Sequence, residues 1–234
     1  MSTNSTNANT MPTHRKISLT AGLLYLLTFV SIPSIPLYTS AKSANFILGS
    51  GSDNGAVIAG ITETIVALAG IGTAVVLFPL LKKQNESAAL GLVAARILES
   101  SSIFIGVAFI SAIVFLHREG AGADTLVTTH ALSTLYDRVF LLSQSFMPAI
   151  CDLLLGFLLY KSRLVPKSLA IVGIIGAPLL LVSYFTVLFG GLGQHAPLAG
   201  LSAIGVALFE FSLGLWLVFK GFNPKAVATL EKNT

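Results

Sequence analysis

Five ionisable residues stand inside apolar stretches long enough to cross a bilayer: Glu63, Arg96, Glu99, Asp152 and Glu210. Holding such a side chain in hydrocarbon costs about 2.5–3.5 kcal/mol or more, so each calls for a partner or a purpose. Arg96 and Glu99 are three apart in Ala95-Arg96-Ile97-Leu98-Glu99 and share one helix face. At a rise of 1.5 Å per residue, Arg96 lies about 12 Å from the basic end of its span, and Asp152 lies at a similar depth. An Arg96–Asp152 pair would offset part of each desolvation cost. Glu99 and Glu210 are then left at one level near mid-membrane, with no cation remaining to neutralise them. Two carboxylates that meet in low dielectric share a proton, a chemistry suited to proton-coupled binding or to general acid–base work. Glu63 lies in the outer half of its span and could meet Arg138, whose helix enters from the outer side. The competing reading of all five is a buried polar network that only fixes helix register.

Other chemistry finds little support. His14, His117, His130 and His195 fall in tails or outer loops, so paired axial histidines for a haem are absent. No span interior holds a lysine for a retinal Schiff base. Cys151 has no histidine at its depth to activate it and reads as a small core residue. A single cysteine excludes a disulfide framework and cysteine-built metal sites. Neither a GxSxG elbow nor an HExxH zinc motif occurs. The run Gly49-Ser50-Gly51-Ser52-Asp53-Asn54-Gly55 is glycine-rich, but no strand precedes it, which removes the context of a phosphate loop. No metal and no cofactor are expected.

The elements that must position these side chains follow from composition. The chain has 234 residues, 54% hydrophobic and 10% charged, with a mean hydropathy of +0.84. An ordinary soluble domain is roughly 25% charged, so a soluble enzyme, a disordered chain and a coiled coil are excluded. A spanning helix needs about 20 apolar residues. Six such runs occur, near Ile17–Leu37, Ala56–Leu81, Ala88–Leu116, Val139–Tyr160, Leu169–Phe189 and Pro197–Phe219. Arg15, Lys16, Lys82, Lys83, Lys161, Arg163, Lys167, Lys220, Lys225 and Lys232, ten of fourteen basic residues, fall on one side. The positive-inside rule makes that side cytoplasmic. The expected fold is all-α, a polytopic six-transmembrane-helix bundle with N-in/C-in topology. Residues 1–13 are expected to be a disordered tail, 14–221 the transmembrane domain and 222–234 a short cytoplasmic tail. Pro148 and Pro178 are expected kinks. The stretch His117–Tyr136 is expected to form a short interfacial helix or an outward extension of the fourth span.

Four segments together resemble a known family. They are Gly22-Leu23-Leu24-Tyr25-Leu26 after a basic pair, Pro79-Leu80-Leu81-Lys82-Lys83-Gln84-Asn85-Glu86, Ala95-Arg96-Ile97-Leu98-Glu99, and Tyr160-Lys161-Ser162-Arg163-Leu164-Val165-Pro166. The chain resembles the prokaryotic membrane family catalogued as domain of unknown function 4386. The resemblance implies a six-span protein of the bacterial cytoplasmic membrane with no established activity. It marks Arg96 and Glu99 as characteristic positions without supplying a role.

Three functions fit these residues. The first is binding or transport of a small solute, ion or lipid through a site formed by Arg96, Glu99, Asp152, Glu210 and Glu63. The second is an intramembrane sensor or accessory subunit whose charges are structural. The third is an intramembrane acid–base enzyme. The lipid bilayer is the expected surrounding. Six helices are few for a monomeric transporter, so transport calls for a homodimer or another membrane partner. Nothing points to nucleic acid.

Overall fold

Runs of Ala, Leu, Ile, Val and Phe broken by only a few charges have no broad face suited to water, and they fold here as helices that satisfy their own backbone groups. The structure is a computed structural model that describes residues 11–34, 36–49, 51–120 and 122–232. Among these, every regular element is helical: α1 (Thr13–Thr28), α2 (Leu37–Ala41), α3 (Ala44–Ile47), α4 (Asn54–Leu81), α5 (Glu86–Arg118), α6 (Leu126–Leu141), α7 (Met147–Ser162), α8 (Lys167–Leu188), α9 (Pro197–Ser202), α10 (Ile204–Phe219) and α11 (Pro224–Lys232).

Among the described residues, five helices are long and apolar enough to cross a membrane: 54–81, 86–118, 122–162, 167–188 and 197–219. The first run expected from hydropathy differs. Its α-helix ends at Thr28 and tightens into a 3₁₀ segment, Phe29–Ser34. The stretch that follows holds prolines at 33 and 36, each lacking the N–H that an α-helical bond needs, which weakens the ladder twice within one turn before Leu37. The stretch before α7 extends that helix away from the basic end: α6 continues into α7 through a π-helical turn, Leu142–Phe146. Pro148 likewise lacks the N–H that would reach the carbonyl of residue 144, which accounts for the wider turn at that place. Pro178 lies inside α8, whose helical assignment runs unbroken through it.

The segment expected as a short tail carries a helix, α11. This helix buries Ala226, Val227 and Leu230 against the main core. The expected disordered start lies largely outside the described residues, although Thr13 already begins α1.

Small residues set the closest helix contacts, as is usual where lipid removes the hydrophobic drive for association. A methyl group at Gly22 of α1 would stand 2.8 Å from the Gly214 carbonyl oxygen of α10. One at Gly176 of α8 would stand 2.7 Å from the Gly205 carbonyl carbon, at the start of α10. These contacts clamp α10, and with it Glu210, against two neighbours. Arg15 donates through Nη1 to the Leu217 carbonyl at 2.9 Å, and through Nη2 to that of Val218. Ser18 Oγ also donates to the Leu217 carbonyl at 3.2 Å, so side chains of α1 cover carbonyls at the end of α10. The start of α1 and the end of α10 therefore share one end of the bundle, the basic end.

Three apolar clusters result among the described residues, the smallest being Ala149, Ala177, Leu180 and Val206 beside the apolar wall of a cavity. The largest joins Tyr25, Leu77, Leu155, Phe209 and Phe222 toward the basic end. The second joins Tyr38, Phe46, Ile47, Ile110, Ile113 and Tyr136 at the opposite end, where α2 and α3 fold over α4, α5 and α6. The polar site lies between these two.

Candidate functional site

Arg96 is the centre of the site. It is 2% exposed, and its guanidinium divides its hydrogen bonds between two helices. Its Nη1 donates to both Glu99 carboxylate oxygens at 3.1 and 3.0 Å, one helical turn along α5. Its Nη2 donates to Glu210 Oε1 on α10. The planar fork of arginine suits this bridging role, since its donors point in fixed and separate directions.

Asp152, fully buried on α7, stands 3.8 Å from Arg96 Nη2. That is an ion-pair separation too long for a hydrogen bond. Neither Asp152 oxygen has a hydrogen-bond partner among the described residues, and neither does Arg96 Nε. The expected pairing is thus corrected in its ranking. Matched depth does bring Asp152 beside Arg96, but the hydrogen bonds go to the two glutamates. Glu99 is favoured by its position one turn along the same helix, and Glu210 by the close approach of α10. The expectation that Glu99 and Glu210 lack a cation is overturned by the same contacts, because one guanidinium bridges both.

Two neighbours of the site carried no such role in the sequence. Cys151 donates its thiol to Glu99 Oε2 at 3.3 Å. Tyr25 of α1 presents its ring 5.7 Å from the Arg96 guanidinium carbon, within cation–π range. The buried tyrosine in an otherwise aliphatic Gly22-Leu23-Leu24-Tyr25-Leu26 was the available signal.

A cavity of about 400 Å³ ends on these groups. Arg96, Glu99 and Glu210 form its floor, Gln144, Ser183 and Tyr184 its polar wall, and Phe29, Ile103 and Val206 part of its apolar wall. Gln194 and Gly200 also line it, and they lie in the α8–α9 connection and α9, at the end opposite the basic end. There Gln194 accepts from Arg138 at 2.8 Å and donates to the Asp137 carbonyl at 2.8 Å.

Glu63 is elsewhere. It is buried in the second apolar cluster and accepts hydrogen bonds from the hydroxyls of Tyr38 at 3.1 Å and Tyr136 at 3.2 Å. The expected Glu63–Arg138 pair does not form. Tyr136 and Arg138 are two residues apart on α6, about 200° around the helix, so turning Tyr136 toward α4 turns Arg138 toward Gln194. The four residues Arg96, Glu99, Asp152 and Glu210 form one cluster, and Glu63 stands outside it.

The glycine-rich connection before α4 serves a local purpose. Asp53 closes an ion pair with Arg118 at the end of α5. That guanidinium holds the Asp53 carboxyl below the usual aspartate range.

Searches of curated proteins and of solved structures returned no match to the chain. A family model described as a domain of unknown function (DUF4386) matches residues 20–221. The matched stretch holds Arg96, Glu99, Asp152 and Glu210 together with every residue lining the cavity, and the chain belongs to the DUF4386 family.

Proposed function

We propose that this protein is an integral membrane protein that binds a small, positively charged solute in the cavity ending on Arg96, Glu99 and Glu210. The observation that carries this reading is the charge balance at the cavity floor. On the cavity lining one guanidinium meets the carboxyl groups of Glu99 and Glu210, and buried Asp152, which does not line the cavity, stands 3.8 Å from the same guanidinium, so two of the three carboxyls lack a counter-charge. A buried site of that kind is completed by protons or by a bound cation. The lining supports an amphipathic solute: apolar walls for a hydrocarbon body, and carboxylates at the inner end for an amine. The volume, about 400 Å³, falls within the range of small-molecule pockets. Binding would displace protons from the carboxyls, coupling solute to proton.

The reading includes six spans with both termini in the cytoplasm. The sixth is supplied by α1 with its 3₁₀ extension, 22 residues over 13–34. The concentration of basic residues at one end favours this topology. In that frame the cavity opens to the outer side. Membrane-impermeant thiol reagent reaching a cysteine at position 163 from outside intact cells would refute it.

A thermal-shift series on the purified protein tests the binding. The probes are alkylamines and quaternary ammonium ions of graded length, each with its matched carboxylate and alcohol. A ligand at a hundred times its Kd stabilises by about 2.7 kcal/mol, a rise of roughly 5–11 °C for a chain of this length. Amines are expected to raise the midpoint of the wild type, and less so that of Glu210→Gln. No response to any amine, or an equal response to the matched alcohols, would reject the reading. The intramembrane sensor or accessory subunit would then be favoured, since the mutual pairing of Arg96 with Glu99 and Glu210 also suits a purely structural core.

A further inference from the structure

At the basic end of the bundle two turns meet. One joins α7 to α8 through residues 163–166, and the other joins α10 to α11 through residues 220–223. The Asn223 N–H donates to the Leu164 carbonyl at 2.9 Å, and Trp216 Nε1 donates to the Gly221 carbonyl at 3.1 Å. The two turns enclose an open cleft of about 680 Å³. Its floor includes buried Leu164 and Phe222, its side is Trp216, and its rim carries Arg163, Lys167 and Lys220.

The charge here is one-sided. Three cations converge on the cleft and no Asp or Glu lines it. None of the three takes part in a salt bridge among the described residues. Lys167 Nζ lies over the Tyr160 ring at 4.6 Å, a cation–π contact that holds the ammonium beside the cleft without neutralising it. The N-terminus of α8 adds the positive end of a helix dipole. Arg163 adopts a left-handed backbone, φ 57°, the one non-glycine residue among those described to do so. A non-glycine side chain at such a position is strained, and strain of this kind gathers at ligand sites. Trp216 marks the depth at which an indole sits at a membrane–water boundary.

We propose that this cleft binds a phosphate group between Arg163, Lys167 and Lys220, and that the occupant is the phosphodiester headgroup of an anionic lipid in the adjoining leaflet. The cations meet the phosphate, and Leu164, Phe222 and Trp216 meet the glycerol and the first acyl carbons. Basic pockets between spanning helices on the cytoplasmic side have the chemistry to hold such headgroups. The site is separate from the cavity at Arg96 and does not depend on what that cavity binds.

The test uses the full chain in phosphatidylcholine nanodiscs with increasing phosphatidylglycerol, reading retained lipid by native mass spectrometry and the midpoint of unfolding. The variants are Arg163→Gly, Lys220→Ala and their combination. Arg163→Gly removes the charge while suiting the left-handed backbone, so loss of lipid there cannot come from a failed turn. Lys82→Ala with Lys83→Ala removes two charges from the same end outside the cleft. Each cleft charge removed is expected to weaken phosphatidylglycerol retention about fivefold. Lys220→Arg should restore most of the loss at that position, and the Lys82/Lys83 control should retain lipid as the wild type does. Wild-type retention by the combined variant, or an equal loss in the control, would overturn the site. Inorganic phosphate is the second arm, added to phosphatidylcholine discs without anionic lipid. If millimolar phosphate matches phosphatidylglycerol in stabilising the wild type but not the combined variant, the cleft stands and the lipid as its occupant is overturned.

Discussion

Removing the Arg96 guanidinium takes the only cation from a cluster that holds three carboxyl groups. Arg96→Leu keeps a similar apolar stem but leaves Glu99, Glu210 and Asp152 facing one another with their counter-charge gone. Breaking a buried pair by deleting one partner costs about 3–5 kcal/mol. Here two hydrogen-bonded carboxylates lose that partner together, at 3.0 Å for Glu99 and in a shorter contact for Glu210, so the upper part of the range is expected. For a chain of this size that is a fall of roughly 6–20 °C in the midpoint of unfolding. The assay is thermal unfolding in one detergent, with double-mutant cycles to apportion the loss. Arg96→Leu combined with Glu210→Gln should recover more than Arg96→Leu combined with Asp152→Asn, because Arg96 donates to Glu210 and stands 3.8 Å from Asp152. A loss under about 1 kcal/mol for Arg96→Leu, the scale of an exposed ion pair, would refute the reasoning. So would strictly additive losses with Glu99 and Glu210, since no coupling would then exist.

Three further outcomes follow from other contacts. Tyr38→Phe and Tyr136→Phe should each cost about 1.5–3 kcal/mol, the range for a hydrogen bond to a charged group. They should be non-additive, because both hydroxyls serve Glu63; chemical denaturation of the single and double variants reads this. Gly176→Leu should impair assembly more than Gly200→Leu, because a side chain at 176 strikes the α10 backbone while one at 200 meets open space; yield of monodisperse protein and unfolding midpoint report it. The Asp53–Arg118 pair should stabilise the end of the bundle opposite the basic end above the ordinary aspartate pKa of 3.8 and lose that contribution as pH falls through the depressed folded value. High salt or Arg118→Gln should flatten this acid-side dependence, and hydrogen exchange of the first turn of α4 is its local probe.

What the sequence made legible was whatever depends on length, apolarity and charge sign. The runs that became α4, α5, α8 and α10 could be read from hydropathy, because a helix needs nothing beyond its own backbone in lipid. The membership of the polar cluster was legible too, since Arg96, Glu99, Asp152 and Glu210 are costly wherever they point. The pairing inside it was not. Arg96 had two carboxylates within reach by depth and by helix face, and the choice depends on rotamer and on how closely Gly176 and Gly205 let α10 approach. Glu63 was misjudged for a similar reason. A search for opposite charge finds Arg138 and overlooks two tyrosine hydroxyls that serve a carboxylate without carrying charge. The early end of α1 was written in the prolines at 33 and 36, but hydropathy averages over such residues. Helix α11 went unnoticed because its apolar stripe, Ala226, Val227 and Leu230, is too short to announce a helix without the core it packs on.

The central claim is that a cavity open to the outer side leads to a site that prefers positive charge. Ser183 and Gln144 line that cavity, and a cysteine at either position in a Cys151→Ala background reports on it directly. Intact cells are treated from outside with a cationic and an anionic methanethiosulfonate reagent of matched size. The account predicts that both positions are modified, with the cationic reagent roughly tenfold or more faster, because low-dielectric walls focus the field of the carboxyls. Glu210→Gln should narrow that difference. No modification from outside, or equal rates for the two reagents, would contradict the account.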